Sequence, residues 1–198
     1  MTGKLENIKR VMSNYVDINE DEWHNFSSKF IVKEFKKKKV IQNYGDICKY
    51  LYFVEKGILR VFFIDDEGDE KTFHFAFKDT FTADYESFLK QIPSNYIIQA
   101  IEDVTLIQIP LDALHFAYKN LRYGERLGRL LAEEYIFVFT KKTKAIYTKT
   151  PLQRYQSFKK MFPDVFQRVP QHYIASYLNI SPVHLSRLIH QTNQNSGS

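Results

Sequence analysis

Apolar and polar residues recur with different periods in successive parts of the chain, and each period predicts a type of element. Residues 5–15 and 19–29 have helical spacing, and Asn19 with Glu22 three positions later predicts a capping box at the start of the second helix. Between Phe30 and Pro110 the chain instead holds about seven short segments rich in β-branched and aromatic residues, separated by Gly, Asp and Asn. Such a succession of short strands predicts a β-sandwich or barrel.

Helical spacing returns after Pro110. It predicts helices over residues 111–120 and 123–147, and a third from Pro151 to about Met161 with Thr150 as its N-cap. The long helix is apolar on more than one face, so we expect it to contact both the β domain and a second copy of the chain, although one stripe could pack on the β domain alone. The stripe predicted to form a dimer interface consists of Leu127, Leu131, Glu134, Val138 and Ala145.

Residues 171–190 have the spacing that two helices crossing at a tight corner require. Ala175 is small enough for close approach, and Asn179 occupies the position after the first helix that needs a left-handed backbone. Ser181 is the predicted N-cap of the second helix, and Pro182 fits its first position. The pattern predicts a DNA-binding helix-turn-helix, with an ordinary helical corner as the alternative. Its predicted core consists of Ile174, Leu178, Leu185 and Leu188.

Charge is distributed unevenly along the chain, whose net charge is +5. Residues 1–121 carry 16 Lys and Arg against 19 Asp and Glu, whereas residues 122–198 carry 12 against 4. A basic segment that also contains the predicted helix-turn-helix is typical of a protein that contacts DNA phosphates. The run Lys36–Lys39 lies in the acidic part; we interpret it as a solvated edge that discourages strand pairing, with a binding patch as the alternative.

Composition narrows the remaining classes of protein. Hydrophobic residues make up 44% and aromatic residues 16% of the chain, which suffices for a buried core. Neither a long apolar run nor an apolar signal sequence is evident, so we expect a cytoplasmic protein without a membrane partner. Cys48 is the only cysteine, which excludes intrachain disulfides, CxxC zinc sites and cysteine-ligated iron–sulfur clusters. We expect Cys48 to be a small buried residue.

The sequence contains no recognisable catalytic constellation. His74 is the only histidine in the predicted strands, whereas a cupin-like metal cage needs two or three, and no Ser/His/Asp, paired-carboxylate or P-loop pattern accompanies it. A haem would need axial ligands, and His74 is more simply a core or edge residue. We therefore expect no enzyme activity, no catalytic residue, no metal site and no resident cofactor.

The order of parts and three local stretches resemble the bacterial cyclic-AMP receptor protein and Fnr (Crp/Fnr) superfamily of transcription regulators. The stretches are LYFVEKGILRVFF with the later EG turn (51–68), IIQAIEDVTLIQIP (97–110) and PQHYIASYLNISPVHLSRL (170–188). The resemblance implies a homodimer that binds a palindromic operator in double-stranded DNA and contacts RNA polymerase. It also implies an α+β fold with a jelly-roll effector domain (1–121), a long dimerisation helix (122–149) and a C-terminal helix-turn-helix domain (150–198).

The family's cyclic-nucleotide cassette needs a Gly-Glu pair for the ribose and an Arg-Ser or Arg-Thr pair for the cyclic phosphate. The matching positions here are Ala83-Asp84 and Ser94-Asn95, so the arginine is missing and Asp84 would repel the phosphate. We therefore expect no tight binding of cyclic AMP and a pocket that holds another small molecule or nothing. A structural role is the alternative for each residue predicted to line this pocket: Asp84, Tyr85, Ser87, Ser94, Asn95 and Gln99.

In the resemblance, residues 182–190 form the recognition helix. Arg187 matches the family's base-reading arginine and is predicted to contact a guanine, while Val183 can pack on a thymine methyl group. The segment FPDVFQRV is too short and helical for the family's β-hairpin wing. An alternative function is therefore a sensor that has lost DNA binding and acts through protein contacts. A solvated face is the alternative role of Ser186 and His190. Further predicted DNA contacts are Ser181, His184, Ser186, His190, Lys159, Lys160, Arg168, Gln171 and His172, with Arg154 as another phosphate donor.

Overall fold

A computed structural model describes residues 5–195 and shows the predicted α+β class, with strands between two groups of helices. The strands are β1 (Ile31–Phe35), β2 (Val40–Gln42), β3 (Tyr50–Lys56), β4 (Leu59–Ile64), β5 (Glu70–Ala76), β6 (Phe81–Thr82), β7 (Ile97–Ala100) and β8 (Val104–Pro110). The helices are α1 (Glu6–Ser13), α2 (Glu20–Ser27), α3 (Tyr85–Lys90), α4 (Leu111–Asn120), α5 (Gly124–Thr148), α6 (Pro151–Met161), α7 (Val165–Arg168), α8 (Gln171–Tyr177) and α9 (Pro182–Asn195).

The strands form two four-stranded sheets. One has the order β1-β8-β3-β6 and the other the order β2-β7-β4-β5. The pairings of β8 with β1 and β3, and of β7 with β2 and β4, are antiparallel. Apart from the β4–β5 hairpin, neighbours in each sheet are not consecutive in sequence, as in a double-sheet jelly roll, and the predicted fold class is confirmed. Sequence patterning missed the two-residue strand β6 and the helix α3.

The described residues form two compact units. Unit 1 comprises residues 5–63 and 75–135, and unit 2 comprises residues 64–74 and 136–195. The division falls inside α5 and inside the β4–β5 hairpin, so the tip of this hairpin belongs with the C-terminal helices. The three-segment domain organisation expected from the sequence stays a prediction.

The main apolar core of unit 1 lies between helices and the β1-β8-β3-β6 sheet. It includes Met12 from α1, Phe26 from α2, Phe53 and Ile107 from adjacent strands, and Leu127 from α5. Burying a large apolar side chain of this kind contributes about 1.5–3 kcal/mol relative to leaving it exposed. Leu127 is only 3% exposed. The structure therefore corrects its expected part in a dimer interface, because its side chain is already used in the core of its own unit.

Two glycines let α5 approach α4 closely. Gly124 is the first residue of α5, and a Cβ atom at this position would collide with the Ala117 carbonyl oxygen. One turn later, a Cβ atom at Gly128 would collide with the ring of Tyr118. At these two positions α5 has no side chain of its own between it and α4, a contact that the apolar pattern of α5 did not predict.

Unit 2 is built around the predicted helix-turn-helix of α8 and α9. Ala175 is fully buried, as are Ile174 and Leu185, while Leu178 and Leu188 are nearly so. Asn179 has a φ of 53°, the left-handed conformation expected at this position. The Ser181 hydroxyl accepts a hydrogen bond from the His184 N–H at 3.2 Å, as expected of an N-cap. The structure confirms the corner and its core.

The tip of the β4–β5 hairpin is hydrogen-bonded to helices of unit 2. The Ser176 hydroxyl of α8 accepts from the Thr72 N–H at 2.8 Å, and the Lys142 ammonium of α5 donates to the Phe73 carbonyl. Phe73 also stacks on Phe139, with ring centroids 4.6 Å apart. Burial lowers the pKa of Lys142 to about 8. Lys142 interrupts the apolar stripe of α5 in sequence, yet it is a structural residue.

Candidate functional site

The second helix of the corner presents one side to solvent. Leu185 and Leu188 face the core, whereas Val183 is 63% exposed and His184, Arg187 and His190 are also exposed. The exposed positions recur every three to four residues, so they share one face of α9. Ser186 is half-buried at the margin of this face. The structure therefore leaves the predicted base-reading side chains accessible together.

An open cavity of about 440 Å³ lies along this face of α9. Its lining brings together four predicted contacts and adds Gln191, which sequence analysis missed. Gln191 follows Arg187 by four positions, and this helical spacing was the signal that could have identified it. The lining residues are Ser181, Val183, His184, Arg187, Leu188 and Gln191.

Arg187 is the main unengaged cation of the face. Within residues 5–195 its guanidinium takes part in no hydrogen bond or ion pair. Residues 150–198 contain five Lys and Arg and a single acidic residue, Asp164. The planar guanidinium of Arg187 has five N–H donors and lies in a basic segment, so it suits the O6 and N7 acceptors of guanine or a phosphate group.

The predicted phosphate donors are distributed over α6, α7 and α8. Lys159, Lys160, Arg168, Gln171 and His172 are all exposed. The connection between α6 and α8 contains the short helix α7 and, within the described residues, no strand. The expectation that this connection has no β-hairpin wing is confirmed.

Arg154 has a different role from the one expected of it. Its guanidinium donates hydrogen bonds to the carbonyl oxygens of Leu178 at 2.9 Å, Lys149 at 2.7 Å and Asn179 at 3.4 Å. These carbonyls lie at the ends of α5 and α8, where backbone acceptors lack helical partners. Arg154 therefore holds the corner together, and we correct its assignment from phosphate donor to structural residue.

A second group of predicted residues surrounds Asp84, the N-cap of α3. The Asp84 carboxylate accepts hydrogen bonds from the Ser87 N–H at 3.2 Å, the Ser94 hydroxyl at 2.8 Å and the Asn95 N–H at 3.2 Å. Asp84 is 7% exposed and Ser94 is 1% exposed. The two segments that matched the family's ribose and phosphate positions are therefore bonded directly to each other.

The hydroxyl of Ser87 is engaged as well. It accepts from the Cys48 N–H at 2.9 Å and donates to the Ile92 carbonyl at 2.6 Å. Cys48 is buried, as expected, and burial raises the pKa of its thiol to about 11. Gln99 donates to the Lys38 carbonyl at 3.2 Å and is thus engaged with the β1–β2 turn. Of the six predicted pocket residues, Asn95 is the most accessible.

Tyrosines pack next to Asp84 in unit 1. The Tyr135 hydroxyl of α5 donates to the Ala83 carbonyl at 3.2 Å, and the Tyr135 ring lies 6.2 Å from that of Tyr85 between centroids. Burial raises the pKa of Tyr135, with Tyr96 and Asp84 adding to the shift. Burial also raises the pKa of Tyr118, which is hydrogen-bonded to Tyr85, to about 12. These hydroxyls are neutral donors at physiological pH.

Comparison with known proteins shows what this geometry resembles. A family model described as the cyclic nucleotide-binding domain matches residues 32–120, from β1 to the end of α4. Residues 32–120 are therefore similar to a cyclic nucleotide-binding domain. No curated protein sequence matches the chain.

Solved structures share the fold of the β domain and of the helices that follow it. FixK2 from Bradyrhizobium japonicum superposes with a TM-score of 0.73 at 14% identity, covering 84% of this chain and 86% of its own. A protein described as a Crp/Fnr-family transcriptional regulator from Eubacterium rectale gives 0.70 at 21% identity, covering 92% and 88%. The Thermus thermophilus catabolite activator protein gives 0.55 at 18% identity, covering 92% and 87%. The chain has the Crp/Fnr fold, and the resemblance seen in the sequence is confirmed.

Downstream of residues 32–120, α5 carries exposed apolar side chains. Ile136, Phe137 and Val138 are 59%, 52% and 44% exposed. Of the remaining positions in the predicted dimer stripe, Glu134 is exposed, Ala145 is half-buried and Leu131 packs partly against the core of unit 1. The helix thus keeps accessible apolar surface in its second half.

No helix among residues 5–195 is both long and apolar enough to span a bilayer.

Proposed function

We propose that the chain is a sequence-specific DNA-binding transcription regulator that acts as a homodimer on an inverted-repeat operator and does not respond to cyclic AMP. Its structural neighbours are Crp/Fnr transcription regulators. By analogy with that family, the proposal includes contact with RNA polymerase and action in the bacterial cytoplasm. It includes no catalytic step.

The exposed, unengaged guanidinium of Arg187 carries this proposal. A structural arginine is normally bonded, as Arg154 is, because an ordered guanidinium gains free energy from its hydrogen bonds. Arg187 instead points away from a fully packed core on a helix with the docking features of a recognition helix. A bidentate contact from Arg187 to guanine is worth about 1–3 kcal/mol of discrimination.

Homodimerisation rests on the apolar surface of α5. Ile136, Phe137 and Val138 are all exposed and point to different sides of α5, so large apolar area on more than one face of the helix is available for a second copy of α5 to bury. A two-fold axis along α5 would duplicate α9, and two recognition helices that enter successive major grooves require half-sites about 34 Å apart. This requirement is the reason to expect an inverted repeat.

The Asp84 carboxylate supports the absence of a cyclic-AMP response. Its hydrogen bonds to Ser94 and Asn95 use the groups that would otherwise face a cyclic phosphate, and no arginine stands at the matching positions. A phosphate placed there would meet a carboxylate without a cation to neutralise it. The structural neighbours also differ in their ligands: one is described as c-di-GMP responsive and another as complexed with OCPA.

Selection from a randomised duplex pool tests the proposal. The full chain is expected to enrich an inverted repeat with half-site centres one helical turn apart. Arg187→Ala is expected to lose enrichment of a guanine in each half-site. Recovery of unenriched sequences by both proteins would overturn sequence-specific binding. Light scattering on the same preparation checks the dimer, with Phe137→Glu expected to be monomeric.

The missing wing favours one alternative function. Residues 162–170 hold only the short helix α7, so the phosphate contacts that a wing would supply are absent. The alternative is a ligand-sensing jelly-roll protein that acts through protein contacts with weakened DNA binding. The same selection distinguishes the two, because the alternative requires no enrichment and only weak, salt-sensitive binding of every duplex.

A further inference from the structure

Four consecutive lysines, Lys36 to Lys39, form a tight turn between β1 and β2. The Lys39 N–H donates to the Lys36 carbonyl at 3.0 Å, which closes a β-turn. The turn is tied to the neighbouring chain by two more backbone bonds, from the Lys38 N–H to the Ala100 carbonyl at 2.8 Å and from the Ala100 N–H to the Lys39 carbonyl at 3.0 Å. The lysine turn, residues 36–39, is therefore fixed rather than loose.

The backbone of the lysine turn is strained at Lys38. Its φ is 70°, in the left-handed region that glycine or asparagine adopts far more easily than lysine. In a turn of this kind the third position is normally glycine or asparagine. The chain thus keeps a lysine where another residue would be more stable, and strain of this type indicates a functional constraint on the side chain.

Most of the charge of the lysine turn is not neutralised. All four lysines are exposed. Lys36 forms an ion pair with Asp103 at 2.8 Å, and Asp103 also accepts from the Lys37 N–H at 2.9 Å. Within residues 5–195, the ammonium groups of Lys37, Lys38 and Lys39 pair with no carboxylate. Three positive charges are therefore held close together on a rigid turn.

The position of the lysine turn argues against edge protection as its purpose. β1 and β2 are edge strands of the two sheets, and a lysine that blocks strand pairing must lie in the strand. Residues 36–39 lie wholly between Phe35, the last residue of β1, and Val40, the first of β2. A turn has no exposed row of strand N–H and C=O groups with which another strand could pair. The structure thus favours the binding-patch interpretation of the run.

We propose that the lysine turn is a second DNA-binding surface, which contacts the phosphate backbone without reading sequence. The turn offers point charges only, with neither the arginine fork nor the aromatic anchor that protein interfaces use. It also has no apolar side chain among residues 36–39 to insert into a bilayer. Backbone phosphates need only closely spaced cations. The inference rests on the proposed DNA-binding function, to which it adds a sequence-independent contact.

The first test removes the three unpaired charges. Lys37, Lys38 and Lys39 are changed together to Gln, and binding of the full chain to its selected duplex is measured over a salt series. Each lost phosphate contact is expected to reduce the slope of log K against log salt by about 0.9, so the slope falls by about 2 to 3 and affinity at physiological salt falls by about tenfold or more. The matched control changes the exposed lysines Lys49, Lys78 and Lys119 to Gln and is expected to leave the slope close to that of the parent chain.

The second test uses the strain at Lys38. Asparagine accepts a left-handed backbone more readily than lysine, so Lys38→Asn is expected to keep or raise the melting temperature while it weakens DNA binding and lowers the salt slope by about 0.9. If the turn had a purely structural role, Lys38→Asn would keep or raise the melting temperature without weakening DNA binding. This variant also removes the concern that a loss of binding reflects a loss of fold.

The outcomes separate this inference from the proposed function. Equal slopes for the turn variant and the control would overturn the inference while sequence preference stays intact. Absence of any DNA binding by the parent chain would overturn both. A further experiment measures binding of both proteins to vesicles of phosphatidylcholine with phosphatidylserine. If the turn variant lost vesicle binding while its DNA binding stayed unchanged, the lysine turn would be assigned to a lipid surface instead. We expect the turn variant to retain the DNA sequence preference and Arg187→Ala to lose it.

Discussion

The surroundings of Asp84 and the outer face of α9 both contain polar residues that resemble a binding site, but the two groups differ in burial and in hydrogen bonding. Asp84 and Ser94 are buried, and the Asp84 carboxylate accepts three hydrogen bonds from the chain itself. Arg187 is exposed and bonded to nothing among the described residues. Polar groups that are already paired stabilise a fold, whereas accessible unpaired groups are available to a partner. Matching residue types to a family's site does not distinguish these two conditions.

Among single substitutions at neutral pH, the largest expected effect is on stability and comes from Asp84→Ala. The change leaves three buried or half-buried donors without their acceptor, and we expect the free energy of unfolding to fall by about 3 kcal/mol. Denaturant unfolding measures it, with the exposed Asp17→Ala as the matched control. DNA sequence preference should be retained by the folded variant. A loss below about 0.5 kcal/mol would show that the carboxylate is kept for a ligand rather than for the fold.

Arg187→Ala should give the opposite result. Because the side chain is exposed, stability should change by no more than about 0.5 kcal/mol, while discrimination at one position of each half-site falls by about 1–3 kcal/mol. Competition gel shifts with single-base variants of the selected duplex measure the discrimination. Arg126→Ala, which removes another exposed arginine, provides the control. Unchanged discrimination would contradict base contact by Arg187.

His74 sharpens the comparison, because its Nδ1 is unpaired and yet inaccessible. Burial lowers its pKa from 6.5 to about 3, with the Lys142 charge adding to the shift. Above pH 6.5 the imidazole is neutral in both folded and unfolded chains. Below it only the unfolded chain takes up the proton, so stability should fall toward pH 3 by at most about 1.4 kcal/mol per pH unit. His74→Phe should have a shallower acid dependence in denaturant unfolding, and a parallel curve would refute this assignment.

The smallest expected effect is that of cyclic AMP, which should leave the melting temperature of the parent chain unchanged. A ligand that binds only the folded state raises stability in proportion to the logarithm of its concentration over its dissociation constant. Thermal melts over a wide cyclic-AMP series measure this directly. A rise that grows with concentration would show that Asp84 gives up its internal hydrogen bonds to the nucleotide.

Local chemistry made the helix-turn-helix predictable. The left-handed backbone at Asn179 and the N-cap at Ser181 depend on residues within one turn, and the structure confirms both. The capping box of Asn19 and Glu22 is another case. Strand positions were also predictable, because alternation and turn residues bound each segment, whereas β6 is too short to show a period.

Features that depend on distant residues could not be predicted. The donors that pair with Asp84 come partly from a segment ten residues away, so only the fold shows that the carboxylate is saturated. Arg154 reaches carbonyls 24 and 25 residues away, and a basic residue on an amphipathic helix gave no sign of this. The exposure of Gln191 beside Arg187 likewise depended on where α9 packs.

The two glycines at the start of α5 fix the axial position of that helix against α4. A shift by one residue would bring the side chain of Glu125 or Arg129 to the points where Gly124 and Gly128 now touch Ala117 and Tyr118. The Ala117 carbonyl is backbone and cannot yield this space, whereas the Tyr118 ring would have to move. The beginning of α5 therefore cannot move along its axis by one residue unless α4 rearranges with it.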